Sequence, residues 1–344
     1  MNAVTAFRSP TVATGLGLDA LIGNTPLIRL DLTVAGRACR IFAKAEFHSL
    51  TGSTKDRMAA SVILRARERG ELAPGQAIVE MTSGNAGIAL AAIGTSLGHK
   101  VTIFMPDWMS EERRGLLRSF GANLRLVSRD EGGFCGALDL SEAYAAERGA
   151  FLTRQFANAD NVRAHRDGTG TELLRQLAAL GLRPDAFAAG VGTGGTVMGV
   201  AECFAAAGIA ASVHPVEPLE SPTLSTGHKV GHHRIQGISD EFIPPIVRLD
   251  RLARPVAISD SCAIRMAQRL GSELGMGVGI SSGANLLAAI EVARDLDEAA
   301  VVATVFCDNS LRYLSTDLAR EEPARPGSIV GDVRFDHVSM IRAC

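Results

Sequence analysis

AIVEMTSGNAGIALAAIGTSL, residues 77–97, is the stretch on which the fold turns. Residues 77–81 are a short apolar and β-branched run and read as a buried strand. Residues 86–97 carry small and apolar side chains at helical spacing and read as the helix that follows. Between them EMTSGNAG (80–87) is a strand-to-helix loop rich in hydroxyls, an amide and glycine. Backbone N–H groups at a helix start, with Thr82, Ser83 and Asn85, make a pocket suited to a carboxylate. The plainer reading is a capped helix, with Ser83 or Asn85 as the cap.

The same unit recurs along the chain. Strand-like runs at 100–105, 123–127, 186–190, 211–216 and 299–306 alternate with helical patterns at 111–120, 138–147, 197–207 and 284–295. Such alternation implies parallel sheets with helices on both faces. The fold class expected is α/β, with two doubly wound domains whose sheets are mainly parallel. The expected division is 1–57 as an arm, strands and lysine loop packed on the larger domain, 58–158 as the smaller domain, and 159–344 as the larger. No repeat or low-complexity linker separates them.

Composition sets the outer bounds. The 344 residues are 47% hydrophobic and 21% charged, enough for a sizeable core. A net charge of −2 provides no basic field for nucleic acid. No apolar run approaches the roughly 18 residues of a membrane span, and residues 1–20 lack a signal-peptide pattern. Six cysteines without a CxxC pair argue against a disulfide framework or zinc site and for a reducing, cytoplasmic setting. His228, His232 and His233 read as an exposed loop, so no metal is expected. Trp108 reads as core or interface.

A second glycine loop, GVGTGGT (190–196), again lies between a strand and a helix. Gly192, Gly194 and Gly195 let the backbone approach an anion, and Thr193 and Thr196 add hydroxyl donors. It reads as a phosphate cradle. It also satisfies G-x-G-x-x-G, with Glu217 ending the next strand, so an NAD(P)-dependent oxidoreductase stands as a rival. TGSTKDR (51–57) raises a separate question, because Lys55 sits in a loop just behind a Gly-Ser-Thr run. A surface lysine is the bland answer.

IGNTPL (22–27), GSTKDR (52–57) and TSGN (82–85) together resemble the opening motifs of the cysteine synthase (O-acetylserine sulfhydrylase) and cystathionine β-synthase family. GTGGT (192–196), IQGI (235–238), GISSGA (279–284) and RYLST (312–316) continue that resemblance in order, over about residues 20–318. The resemblance implies fold type II, the tryptophan-synthase-β fold, as a homodimer with pyridoxal 5′-phosphate in the cleft between the domains. It implies that Lys55 carries the cofactor as a Schiff base and moves protons at the substrate Cα. By the same resemblance, loop 192–196 holds the phosphate and Asn85 the 3′-oxygen, while Thr82, Ser83, Asn85 and Gln155 hold the substrate carboxylate. The implied reaction is β-replacement on an L-serine derivative through an α-aminoacrylate, with cysteine the simplest product. An amino-acid nucleophile, giving cystathionine, lanthionine or a diaminopropionate derivative, is the alternative.

Departures from the family pattern matter as much. The pyridine nitrogen faces a neutral hydroxyl in this family, which suits elimination. CDNSLR (307–312) has Asp308 where one branch carries that serine, so Ser281, used by the other branch, is the expected partner, with Asp308 at the rim. Ser49 and Leu50 replace the usual Asn-Pro and are expected to loosen the turn before Lys55. SDEFIP (239–244) stands where sulfhydrylases have Gly-Ala-Gly-Phe. Asp240 and Glu241 would repel sulfide and could bind the ammonium of a second substrate; ordinary solvated acids are the other reading.

Overall fold

The computed structural model describes residues 17–342 apart from 83 and 240. The contacts expected at Ser83 and Asp240, and the arm before residue 17, lie outside the described residues. The first elements are ones the strand–helix alternation does not announce. β1 (Leu27–Val34) and β2 (Arg37–Ala45) pair antiparallel around Ala35 and Gly36, whose φ angles are +50° and +84°. Two left-handed residues in succession give the turn whose twist matches a hairpin.

From there α1 (Lys55–Glu68) leads through β3 (Ile78–Met81), α2 (Asn85–Ser96), β4 (Val101–Pro106), α3 (Glu111–Ser119), β5 (Asn123–Val127) and α4 (Gly133–Arg148) to β6 (Phe151–Leu152). Those four strands form one parallel sheet, in the order β5-β4-β3-β6. Next, α5 (Ala159–Ala164) passes through a π-helical turn, 165–170, into α6 (Thr171–Ala178). β7 (Ala186–Gly190), α7 (Gly195–Ala206), β8 (Ser212–Pro218), α8 (Thr223–Thr226) and β9 (Val256–Ile258) follow. Then come α9 (Asp260–Leu274), α10 (Ile280–Arg294), β10 (Val302–Phe306) and β11 (Val333–Ile341). The second sheet has seven strands, ordered β11-β1-β2-β10-β7-β8-β9. β2, β10, β7, β8 and β9 run parallel, and β1 and β11 add antiparallel pairs at one end.

Central parallel strands are covered on both faces, and β7 shows how. Its Ala186 and Ala188 join Ala284 and Leu287 of α10 in one core, while Phe187 and Ala189 join Val197, Val200 and Phe204 of α7 in the other. The period of two along a strand produces that division. α4 and α10 begin at Gly133 and Ile280, ahead of the expected 138 and 284. Glycine and serine in a first turn weaken the helical pattern without preventing the helix.

The turn at Ser49-Leu50 is closed rather than loosened. Ser49 N–H reaches Glu46 O at 3.2 Å, and Gly52 N–H reaches Ser49 O at 2.8 Å. Gly52 has φ +81°, which glycine adopts without strain. The carboxyl ends of β2, β10 and β7 stand side by side in the sheet. Loops leaving those ends, and the end of β3, carry the motifs read above, where open α/β sheets bind their ligands.

Candidate active site

A cavity of about 510 Å³ opens at these strand ends, with Lys55, Asn85, Thr193, Gly194, Ser281 and Asp308 on its wall. Lys55 is the first residue of α1 rather than part of a loose loop. The residues before it are fastened from the far end of the chain. Thr54 N–H bonds Cys307 O at 2.9 Å, and Ser53 forms a bridge pair with Asp308. Arg312 donates to Gly52 O at 3.2 Å and to Thr51 O. Asp56 accepts from Thr51 N at 2.8 Å and from its hydroxyl at 2.5 Å, closing the turn from behind.

In the first turn of α1, Arg57 is buried between two carboxylates. It bonds Glu46 at 2.6 and 2.9 Å and Glu172 at 2.7 and 2.8 Å. Lys44, fully buried on β2, reaches Glu172 at 2.7 Å and Thr25 at 2.6 Å. Two cations thus face two anions, and no buried charge is left unanswered. Burial pushes the Glu172 carboxyl up, but Arg57 and Lys44 outweigh it and hold it well below the usual carboxylate range. The cluster ties the helix that presents Lys55 to β2 and α6.

Two helix starts face the cavity with glycine at the N-cap. α2 begins after Gly84 and α7 after Gly194, neither of which has a side chain to cap with; among the described residues the nearest hydroxyl to a first-turn N–H is Thr193 Oγ1, 3.5 Å from Gly195 N. Asn85 is therefore not a cap, as the plainer sequence reading had it. First-turn N–H groups have no helical acceptor, so an anion can serve instead. At α7, Thr193 Oγ1 accepts from Asn161 Nδ2 at 2.8 Å, which shapes the loop. A Cβ on Gly195 would lie 2.0 Å from Asn161 Oδ1, and one on Gly194 would lie 2.2 Å from Val247. These glycines are required by the protein's own packing, before any ligand is considered. Behind Thr196, His165 Nε2 lies 3.5 Å from the hydroxyl. Burial first, then the Arg57 and Lys55 charges, push that imidazole well below its usual pKa and keep it neutral. Glu217 accepts from Leu224 N at 2.7 Å and from the Ser225 hydroxyl. Both its oxygens serve the first turn of α8, a structural role that accounts for this acid without a ribose.

Asn85 Nδ2 donates to Asp308 Oδ2 at 2.6 Å, and Tyr313 OH donates to the same oxygen at 2.6 Å. Arg312 Nη1 donates to Asn85 Oδ1 at 2.9 Å. Asp308 is buried in the wall, not placed at the rim as expected, and its Oδ1 has no partner. Ser281 is the second residue of α10 and lies buried on the same wall. Beside it the Cys307 thiol is pushed up to about 11, by burial and then by Asp308, and stays protonated.

Thr82 and Gln155 also reach the cavity. Gln155 is fixed from behind: its Nε2 donates to Met81 O at 3.0 Å and its N–H to Glu80 at 3.1 Å. Glu80, fully enclosed, also accepts from Met81 N and the Thr153 hydroxyl. Burial pushes its carboxyl up to about 6 despite these donors.

At the mouth Glu241 is paired with Lys229, at 2.6 Å. His233 and Trp108 line the same opening. Trp108 is thus not core: it is 44% exposed, with Arg129 stacked 5.1 Å from its ring centre. His233 is half-buried, its Nε2 3.1 Å from Ser239 O, rather than part of an exposed loop. Sequence reasoning assigns no role to Arg113, Lys229 or Tyr313, which the fold carries to the cavity, nor to Glu80, which braces Gln155 from behind it. Tyr313 and Glu80 lie within quoted motifs, but their partners are not visible in them.

The model of the family described as pyridoxal-phosphate dependent enzyme matches residues 18–308. A probable cysteine synthase of Bacillus subtilis (strain 168) is 41% identical over 301 residues, 87% of this chain and 96% of that one. The crystal structure of a hydrogen sulfide-producing enzyme from Fusobacterium nucleatum superposes with TM-score 0.92 at 48% identity, covering 94% of this chain and 98% of that chain. An O-ureido-L-serine synthase structure follows at TM-score 0.81 and 35% identity, covering 89% and 96%. The chain belongs to the pyridoxal-phosphate dependent enzymes.

Proposed function

We propose that this pyridoxal-phosphate enzyme performs β-replacement on an L-serine derivative, in the manner of a cysteine synthase. The observation that carries the reading is the convergence of Lys55, two helix starts with glycine at the N-cap, and Ser281 on one cavity. These residues fit the cofactor. Loop 192–196 at the start of α7 would hold its phosphate, Asn85 its 3′-oxygen, Ser281 its ring nitrogen and Lys55 its aldehyde carbon. When bound, pyridoxal phosphate supplies an electron sink for charge developing at the substrate Cα.

Thr82, Ser83 and Gln155, with the open N–H groups of α2 beside Asn85, bind the substrate carboxylate. The Lys55 amine, presented by a braced helix, takes the proton from Cα and returns it after a nucleophile has added at Cβ. Ser281 offers a hydroxyl rather than a carboxylate, which disfavours transamination. Asp308 gives Oδ2 to Asn85 and Tyr313 and keeps Oδ1 without a partner, so it is the competitor that a test of Ser281 must exclude. Glu241, which lines the cavity, receives the second substrate, with Asp240 proposed to act beside it in sequence. The partition of strands between two sheets supports lobes at 58–158 and 159–344, with 1–57 on the larger. A homodimer follows the family resemblance, and five unpaired cysteines among the described residues support a cytoplasmic setting. Among the described residues, no helix is long and apolar enough to cross a membrane.

A second reading reverses the role of sulfur. The 48% identical relative is a hydrogen sulfide-producing enzyme. With cysteine as the donor, the Cβ–S bond breaks, sulfide leaves, and water or another nucleophile takes its place.

The test is a panel of donors (O-acetylserine, cysteine) against nucleophiles, with products identified by mass. Lys55→Ala should abolish turnover and the borohydride-trapped adduct while leaving the circular dichroism spectrum intact. A tryptic map that finds the trapped cofactor on another lysine overturns the assignment.

A further inference from the structure

Among the described residues, Lys55, Arg113 and Lys229 are the lysine and arginine side chains that line the cavity. Lys229 is paired with Glu241, and Lys55 is the base of the proposed reaction. Arg113, in the first turn of α3, is left over. It is 6% exposed and makes no ion pair among the described residues. One terminal nitrogen donates to Gln236 Oε1, the other lies 4.0 Å from Met109 Sδ, and Nε is buried with no acceptor. Glu112, its neighbour in sequence, is turned to the Ser315 hydroxyl at 2.9 Å. Arg57 shows the contrast, since an equally buried guanidinium there is met by two carboxylates. A buried charge is costly unless it is answered, so an unpaired one on a ligand cavity marks a place for an anion.

Its position says which anion. The substrate carboxylate already has neutral donors in the 82–85 loop and at the start of α2. Arg113 borders that loop without belonging to it: a Cβ on Gly84 would lie 3.9 Å from both its Nε and its guanidinium carbon. On the other side it is joined through Gln236 to the segment that leads to Glu241 at the mouth. A negative charge comes into being in this region during the reaction. When the Lys55 amine takes the Cα proton, the C–H electron pair closes a Cα–Cβ double bond. The bond from Cβ to its substituent breaks, and that electron pair leaves with the substituent. An ester thus releases a carboxylate, and a thiol releases hydrosulfide.

We infer that Arg113 is the catalytic residue that receives the β-substituent as it departs, its guanidinium answering the charge that grows there. This rests on the β-replacement reading and supplies the group that assists its first half. The Gln236 bond and the Tyr313 ring, whose centre lies 5.5 Å away, hold the cation in place before any donor arrives. A cation fixed in advance and aimed at developing charge lowers the barrier without reorganising.

The experiment compares donors on the holoenzyme. O-Acetylserine and cysteine lose anions, acetate and hydrosulfide, whereas 2-amino-3-(dimethylsulfonio)propanoate loses neutral dimethyl sulfide. All three carry the same ammonium and carboxylate at Cα. Within each variant the ratio of kcat/KM values for elimination is read, so that general damage cancels. Arg113→Gln and Arg113→Met should lower the ratio of ester to sulfonium donor by about ten- to a hundredfold, with Arg113→Lys keeping part of it. Acetate binding gives a readout apart from turnover. With L-alanine, which has no leaving group, holding the carboxylate loop, acetate should raise the Tm of the wild-type holoenzyme. The concentration needed should rise at least tenfold in Arg113→Met. If the sulfonium donor is inert with the wild-type protein, this titration decides alone. An equal loss with every donor would give Arg113 to the shared carboxylate and overturn this inference alone, as would equal acetate affinity in Arg113→Met. No elimination from any donor sinks the β-replacement reading and the inference with it.

Discussion

The Asn85 amide and the Asp308 carboxylate meet at 2.6 Å, joining the first residue of α2 to the segment just beyond β10. Arg312 takes the other end of the amide, so its orientation is fixed from both sides. The amide is thereby aimed by residues from the opposite sheet, not by its own loop.

Removing that carboxylate should therefore be felt at the cofactor. Asp308→Ala leaves both Asn85 and Tyr313 without an acceptor. A charge-assisted bond contributes about 1.5–3 kcal/mol, so cofactor affinity should fall roughly ten- to a hundredfold. Asp308→Asn should fall between, because an amide oxygen still accepts. Spectrophotometric titration of the apoprotein measures both, and an unaltered affinity in Asp308→Ala refutes the relay.

Ser281→Ala tests the ring-nitrogen assignment. Loss of one neutral bond should weaken cofactor binding by about 1 kcal/mol, close to fivefold. The visible spectrum of the bound cofactor should shift, and turnover should drop. An unchanged spectrum would transfer the role to the orphaned Oδ1 of Asp308.

Glu80 gives a pH signature in stability. Its carboxyl stands at about 6 in the fold, against 4.5 ordinarily. The folded state therefore holds this proton more tightly than the unfolded chain does. That contribution is complete below 4.5 and is lost as pH rises through 6. Between pH 4.5 and 7.5 the wild-type protein should lose about 2 kcal/mol more stability than Glu80→Gln. Urea melts at the two pH values give the difference, and equal slopes would rule the effect out.

Arg57→Met should be among the most damaging single changes. It strands Glu46 and Glu172 in the interior with Lys44 alone to answer them. Breaking such a pair costs about 3–5 kcal/mol, visible as a lower Tm. Since Lys55 stands only two positions earlier, turnover should fall further than stability alone explains at temperatures where the variant is folded. A Tm within error of wild type would show the cluster to be dispensable.

How much of this was legible follows from what each residue depends on. Strands 123–127 and 186–190 stand out in sequence because parallel strands are short apolar runs between helical patterns. Strands are expected within 1–57, but their hairpin is not marked, because Ala35 occupies a left-handed position usually signalled by Asn or Gly. The path from α5 to α6 is obscured by Gly168 and Gly170 within its π-helical turn. In α9, by contrast, Ala263, Ile264, Ala267 and Leu270 carry a helical period that the strand-centred reading passes over. Lys55, Thr82, Asn85 and loop 192–196 can be read from sequence because each sits in a contiguous loop that the structure brings to one cavity. Arg113 and Asp308 cannot, since the meaning of either depends on partners more than a hundred positions away.

The grip of Arg312 on Thr51 and Gly52 has a temporal side. The contact spans 260 positions, and β2 gains its neighbour β10 only from residues 302–306. On the ribosome, the segment holding Lys55 emerges early and must wait for almost all of the remaining chain. Until synthesis has passed Arg312, the turn before Lys55 lacks its anchor and Asn85 lacks Asp308. Domains generally fold as units, and long-range parallel pairing is slow. The nascent protein therefore completes the cavity that holds Lys55 and Asn85 only late in synthesis, and capture of pyridoxal phosphate is expected to be late as well.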